Sequence, residues 1–418
     1  MVSLTPAAFR RIGKHMQTKL EPSLRETQAG LHAESILRKC VHCGFCLATC
    51  PTYNLLGDEL DSPRGRIYQI KSVLEGEAAT PSIQLHLDRC LSCRSCETTC
   101  PSGVQYHQLL DIGRDVVEKQ LPRSASQRLL RWVLRTFVSN AKVMTPAMRL
   151  GQMLRPAIPA ALKSHVPPRK APGEWPTPQH TRKMLVLAGC VQPGAQPRTN
   201  AAAARVLNSL GISLITAPNA GCCGAVRYHL NDHEGGLADM RRNIDAWWPL
   251  IEDGVEAIVM TASGCGAQVQ EYGHLLAEDP YYASKAARVS ELCKDISQIL
   301  SAEDLSSLPI DNKKFGTVAY HPPCTLQHAQ QLPDIVEGLL QQLGFKLCNV
   351  SDKHLCCGSA GTYSILQKDL SQQLLSNKVT ALEADNPDTI ASANIGCLMH
   401  IETGTDTKVV HWIELLDH

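Results

Sequence analysis

Nowhere in the 418 residues does an apolar run reach the length needed to cross a bilayer. Met1 to Leu20 carries Arg10, Arg11 and Lys14 but no apolar stretch leading to a cleavage site, which argues against an export signal. A dominant charge is missing too: the formal net charge is +1, so no global field gathers nucleic acid. No Gly-x-Gly-x-x-Gly follows a strand-like run and no Walker loop is present, which excludes the common nucleotide-cradling turns. A Ser/His/Asp constellation for hydrolysis is likewise lacking. Taking an electron pair from an organic substrate needs a flavin or nicotinamide, and the chain has no loop of its own to hold one.

What it does have is cysteine. Eight of the eighteen form two copies of one run, Cys40-x2-Cys43-x2-Cys46-x3-Cys50-Pro51 and Cys90-x2-Cys93-x2-Cys96-x3-Cys100-Pro101. Three thiols within seven residues, a fourth after x3 and then proline is the spacing of a four-iron, four-sulfur cube. In two-cluster chains the outlying cysteine serves the other cube. The ligand sets are therefore read as Cys40, Cys43, Cys46 and Cys100 for the first cluster, and Cys90, Cys93, Cys96 and Cys50 for the second. Zinc sites draw their cysteines as pairs, and disulfide frameworks belong to short secreted chains. Neither fits. Thiols kept available in this number point to a reducing compartment, and a cytoplasmic location is expected.

Charge is unevenly spread. Leu121 to Lys183 holds twelve Lys or Arg against one acid, Glu174, while the remainder carries 29 bases and 39 acids. Within it, QRLLRWVLRTFV (127–138) places Arg128, Arg131 and Arg135 near one helical face, with Trp132 and Phe137 elsewhere. That pattern suits either an anionic membrane surface or packing against protein. Seven prolines from Pro156 to Pro178 then predict an extended linker.

Beyond it the chain repeats itself. Cys190, Cys222, Cys223 and Cys265 recur as Cys324, Cys356, Cys357 and Cys397, at offsets of 134, 134, 134 and 132 residues, and Asn243 matches Asn377 at 134. Each copy reads strand, helix, strand, helix, strand: Met184 to Ala188, Ile212 to Ile215 and Ala257 to Thr261, then Thr317 to Tyr320, Phe345 to Val350 and Thr389 to Ala393. This is the pattern of a parallel sheet with its cysteines at the strand ends. Gly224 and Gly358 are expected in the turns after the paired cysteines, where a side chain would crowd the site. Cys293 and Cys348 fall outside the repeat and read as ordinary buried thiols.

The fold class is thus α+β and multidomain: a helical two-cluster domain (1–120), a basic and proline-rich connector (121–182), and two α/β modules with parallel sheets (183–312 and 313–418). The repeated modules resemble the cysteine-rich CCG modules of heterodisulfide reductase subunits and related iron–sulfur oxidoreductase subunits. The fullest form of that pattern ends in Cys-x2-Cys. Here Gln268 and His400 stand where the fifth thiol would be. By that resemblance the second set (Cys324, Cys356, Cys357 and Cys397) is a candidate cluster or zinc site, with His400 as a candidate nitrogen ligand and His321 leading into the His-Pro-Pro-Cys run. The first set (Cys190, Cys222, Cys223 and Cys265) is a weaker candidate.

The chain from about residue 20 onward resembles the iron–sulfur subunits of glycolate oxidases (glycolate dehydrogenases). The resemblance rests on CVHCGFCLATCPTYNLLGDELDSPRGRIYQIK (40–71), LDRCLSCRSCETTCPSGVQYHQLLDIGRD (87–115), AGCCGAVRYHLN (220–231), NIDAWWP (243–249), TASGCGAQVQEYG (261–273), CTLQHAQ (324–330), HLCCGSAGTY (354–363) and ANIGC (393–397). It implies two [4Fe-4S] clusters relaying electrons from separate FAD-binding subunits that oxidise glycolate, or D-lactate, towards a quinone or other membrane acceptor. The complex would sit on the cytoplasmic face of the inner membrane, and this chain alone would oxidise no substrate. The same motifs fit the iron–sulfur subunit of anaerobic glycerol-3-phosphate dehydrogenase, a lactate-utilisation complex, or a CCG-type disulfide reductase; the missing fifth thiols weigh against the last. Asp61-Ser62-Pro63-Arg64-Gly65-Arg66 reads as a partner-docking segment or a solvated turn capping a helix.

Overall fold

The computed structural model describes residues 16–159 and 166–417, which leaves Arg10, Arg11, Lys14 and Lys163 outside the described residues. It forms two compact units, one ending at Ala125 and one beginning at Ser126.

The first unit is helical, built chiefly from Gln28–Lys39, Pro63–Leu74, Pro81–Asp88 and Tyr106–Gln120. Side-chain oxygens of Thr27, Ser62 and Thr80 accept the N–H groups of Gly30, Gly65 and Ile83 and so cap three of these helices. Proline opens the last two of those three, where its missing N–H costs nothing. Ile36, Leu37, Ile67, Ile70, Leu109 and Leu110 fill the space between the helices. At Gly113 an added Cβ would lie 2.7 Å from Ile70 Cγ1, so glycine lets Pro63–Leu74 and Tyr106–Gln120 pack closely against each other.

The second unit holds two four-stranded parallel sheets. In the first, β1 (Arg182–Val186), β2 (Ile212–Thr216), β3 (Ile258–Met260) and β4 (Cys293–Asp295) lie in the order β2-β1-β3-β4. The second repeats this with β5 (Thr317–His321), β6 (Lys346–Leu347), β7 (Thr389–Ser392) and β8 (Lys408–His411) in the order β6-β5-β7-β8. The fourth strand of each sheet went unread in the sequence, since a run of three or four residues with a charged start or centre gives no periodic signal.

Alternation along the strands sorts side chains to two faces. Met184 and Val186 of β1, with Val318 and Tyr320 of β5, point into one core shared by both modules. Leu185 and Leu187 point into a separate core with Cys190, Cys222 and Cys223, and Ala319 shares another with Cys357 and Cys397. The paired modules therefore seal against each other chiefly through apolar side chains, while Cys190, Cys222 and Cys223 of the first and Cys357 and Cys397 of the second lie in their own separate cores. Backbone and side-chain bonds cross the seam: Ser263 N–H to Ala393 O at 3.1 Å, Thr199 Oγ1 to Glu414 Oε1 at 3.0 Å, and Arg205 to Asp417 at 2.6 Å.

His411 closes the same seam. Its Nδ1 accepts the Ile413 N–H at 3.2 Å, so Nε2 carries the proton given to Thr261 O at 2.8 Å. Burial holds its pKa down to about 3, below the ordinary value near 6.5 that it regains on unfolding. Its contribution is thus whole above that unfolded value and is lost as pH falls towards 3, at about 1.4 kcal/mol per pH unit. Between pH 7 and 5, urea unfolding of His411→Gln should lose about 2 kcal/mol less stability than the native chain.

The basic stretch is more helical than its prolines suggest. Ala125–Val133, a π-helical turn Leu134–Val138 and Ala141–Leu154 follow one another, with Pro146 inside the last. Gln152 Nε2 donates to Gly194 O at 3.2 Å, so this region packs on the first α/β module. Residues 166–181 carry no helix or strand. They are nonetheless tied down, by Trp175 Nε1 to Leu214 O at 3.3 Å and Arg205 Nη1 to Glu174 O at 2.6 Å.

Candidate metal centres

In the first unit each cysteine run folds as a tight loop. Between the cysteines of the first loop His42 (φ 54°) and Gly44 (φ 83°) are left-handed, and in the second Ser92 (φ 52°) and Arg94 (φ 61°) take the same places. Three non-glycine residues held there signal a backbone constrained for a site. Cys50 then stands just before the short helix Pro51–Leu56, which Pro51 begins.

These loops build two cavities. One is lined by Cys40, Cys43, Cys46 and Cys100. The other is lined by Cys50, Cys90 and Cys93. Pro63, Cys96 and Tyr106 form a wall common to both. Electrostatics assign Cys96 to the second cavity, because its thiol feels Cys93, Cys90 and Cys50. Burial and then repulsion from Cys40 push Cys46 up to about 11, and burial drives Cys96 far above the usual thiol range. Buried thiols that resist ionisation are poor nucleophiles. Bound metal supplies the charge that would deprotonate them. All eighteen cysteines are free, so no disulfide competes for them. The donor sets and cavities fit two iron–sulfur cubes.

A buried charge network with no local sequence signature stands behind Cys50. Cys50 Sγ lies 3.3 Å from Thr52 Oγ1, which in turn donates to Asp61 O at 3.0 Å. Asp61 is fully buried and is held by Arg66 at 3.1 Å and Arg89 at 2.9 Å. Arg66 also reaches Thr52 Oγ1 and the carbonyl of His86. The segment 61–66 is therefore neither a docking surface nor a solvated turn. Ser62 does cap a helix, but Asp61 and Arg66 turn inward to brace the second cluster loop. What the loop does expose is Cys43 and, beside it, Val41 and Phe45, with Tyr68 on the following helix.

In the α/β modules the cysteines follow the strand ends at the β1/β3 and β5/β7 switch points, where such sheets bind ligands. Gly224 (φ 91°) and Gly358 (φ 89°) take the left-handed turn after each cysteine pair. A Cβ there would meet Gly236 O at 2.8 Å or Ser371 O at 2.6 Å. In the first module Cys222 takes hydrogen bonds from Cys190 and Cys223, which hold it well below the usual thiol range. Cys223 also reaches Cys265. The second module repeats the chain of contacts from Cys324 to Cys356, Cys357 and Cys397. The sulfurs of each set are linked to one another by hydrogen bonds. Cys293 is buried as expected, but Cys348 is only half-buried.

The Asn243 and Asn377 match does not survive folding. Buried positions of the two helices (236, 239, 240, 243, 244 and 247 against 371, 374, 375, 378, 379 and 382) align at 135, not 134. Lys378 thus stands where Asn243 does, and Asn377 is exposed. His400 bonds Ser371 Oγ at 3.1 Å, behind the turn. His321, by contrast, places a ring nitrogen within 4.8 Å of the thiols of Cys357 and Cys397.

Comparison with known proteins agrees with these elements. Residues 36–104 match the "4Fe-4S dicluster domain" family, and 184–270 and 318–402 each match the "Cysteine-rich domain" (CCG) family. The chain is 55% identical over 403 residues to the "Glycolate oxidase iron-sulfur subunit" of Escherichia coli (strain K12), covering 96% of this chain and 98% of that one. It is 30% identical over 422 residues to the "Probable glycolate oxidase iron-sulfur subunit" of Bacillus subtilis (strain 168), covering 92% and 94%. "Lactate utilization protein A" of Bacillus licheniformis is 27% identical over 245 residues, 56% of this chain. With its dicluster domain, its two CCG modules and identity along nearly its whole length, the chain belongs to the family of glycolate oxidase iron–sulfur subunits.

Proposed function

We propose that this chain is the electron relay of a glycolate (2-hydroxy acid) oxidase, taking electrons singly from FAD-binding partner subunits and passing them towards a quinone or other membrane acceptor. The observation that carries the reading is the common wall of the two cysteine cavities. Cys40, Cys43, Cys46 and Cys100 would hold one [4Fe-4S] cluster, and Cys90, Cys93, Cys96 and Cys50 the other. Such clusters supply one-electron steps. The chain supplies their spacing: each loop donates its outlying cysteine to its neighbour, so the two sites cannot drift apart.

Cys43 and Phe45 mark the end at which a redox partner docks. Phe45 is 63% exposed, and burying an apolar rim beside an exposed ligand brings a partner's cofactor close. Phe45→Glu should slow electron transfer from the loaded flavoprotein partner at least tenfold while leaving iron content unchanged. Equal rates for the two proteins would remove this loop from the interface.

The relay also needs a route to a membrane acceptor. Among the described residues no helix is long and apolar enough to cross a membrane. Leu129, Trp132 and Phe137 are exposed beside Arg128, and Val143, Leu150 and Met153 continue the exposure along the next helix. A cationic, aromatic surface of this kind suits peripheral contact with anionic headgroups. Replacing Arg128, Arg131 and Arg135 together with glutamate should abolish co-sedimentation with vesicles containing phosphatidylglycerol. Unchanged sedimentation would reassign the surface to a protein partner. Finding two FAD-binding oxidase-type subunits co-purified with this chain would separate the glycolate reading from the glycerol-3-phosphate and lactate-utilisation alternatives.

A further inference from the structure

The two CCG modules share a fold and a cysteine pattern but differ at the bottom of the site. Alternation along β5 sends Val318 and Tyr320 to the shared core and leaves Ala319 and His321 on the far face. His321 is fully buried there, and neither ring nitrogen has a hydrogen-bond partner. An unsatisfied buried polar group costs about 1–3 kcal/mol, so the fold would not keep an imidazole here without something for it to bind. One ring nitrogen and the sulfurs of Cys357 and Cys397 all lie within 4.8 Å of one another. Cys356 is hydrogen-bonded to Cys357.

That crowding selects the kind of metal. A cube keeps its thiolates at separate corners around a cavity, as the first unit does. Three donors within 4.8 Å of one another, with Cys356 bonded to one of them, suit one small tetrahedral ion, whose bonds of about 2.3 Å to sulfur and about 2.0 Å to nitrogen draw four ligands together. Charge points the same way. Three thiolates around a dication leave one negative charge, and Lys378, 3% exposed and anchored to Asp352 O at 2.8 Å, lies within the field of Cys324, Cys357 and Cys356 to balance it. In the first module Leu187 occupies the place of His321 and the neutral Asn243 that of Lys378.

We propose that the second module holds a single metal ion of the zinc class, bound by His321, Cys357, Cys397 and Cys356, and that the first module lacks the counterpart of this site. His321, not His400, is the nitrogen ligand. The inference does not depend on the relay: it assigns a resident ion and needs no electron to pass through it.

The test uses the full chain purified anaerobically, with zinc and iron content and the optical spectrum after cobalt(II) exchange as readouts. The native protein should carry zinc, and its cobalt form should show thiolate charge-transfer bands for three sulfurs. His321→Leu, which copies the first module, should lose zinc and the cobalt bands while keeping its iron. His321→Cys should regain the ion with bands for four sulfurs, showing that the module still folds. Cys190→Ser in the first module should leave zinc unchanged. Retention of zinc in His321→Leu, failure of His321→Cys to regain it, loss of zinc in Cys190→Ser, or iron beyond that of two cubes would each overturn the assignment.

Discussion

Cys50→Ser should empty the cavity formed with Cys90, Cys93 and Cys96 and leave the cluster at Cys40, Cys43 and Cys46 in place. Sequence proximity alone predicts the opposite, because Cys50 ends the first run. The structure sends it across: Cys50 lines the second cavity, and Cys100 lines the first. A hydroxyl is a weak substitute for thiolate on iron, so roughly four of about eight irons should be lost. Cys100→Ser should remove the other half. Reduced samples of the two variants should then give two different single-cluster EPR spectra, each without the broadening that neighbouring spins produce. If both variants lost the same cluster, or if Cys50→Ser destroyed the site of Cys40, Cys43 and Cys46, the exchange of ligands would be wrong.

The second large effect concerns the charges behind Cys50. Asp61→Asn keeps the shape of the side chain but removes the anion from between Arg66 and Arg89. Arg66 is 1% exposed and cannot turn to water. Breaking a buried pair in this way costs about 3–5 kcal/mol, since the remaining charge stays desolvated and uncompensated. Chemical denaturation should show that loss in the first unit. Because Arg66, left without its carboxylate, also holds Thr52 beside Cys50, iron should leave the second cavity faster in the presence of a chelator. Arg89→Gln, at a half-buried position, should cost much less and so serve as the control.

How much of this was written in the sequence depends on the distance over which each signal acts. The cysteine runs are local, and their spacing anticipates which thiols line each cavity. The duplication could be read from the repeated thiols, and the left-handed glycines at 224 and 358 from the need for a turn after each pair. Signals spread over space were lost. Asp61, Arg66 and Arg89 look like surface charges in an Arg-rich segment until folding buries two of them. His321 and His400 look equally suited as ligands, and only the strand alternation that buries one and the Ser371 bond that occupies the other tell them apart. The one-residue change of offset that puts Lys378 in the place of Asn243 has no mark in the sequence, because helix packing and not identity sets it. The fourth strands were too short for any period to show.

Iron and acid-labile sulfide counted on the anaerobically purified full chain, with EPR of the reduced form, address the central claim most directly. Two cubes in adjoining cavities predict about eight irons and about eight sulfides per chain. The reduced spectrum should be broadened by two interacting spins. About four irons with a single unbroadened signal, or zinc in place of iron in the first unit, would contradict the relay.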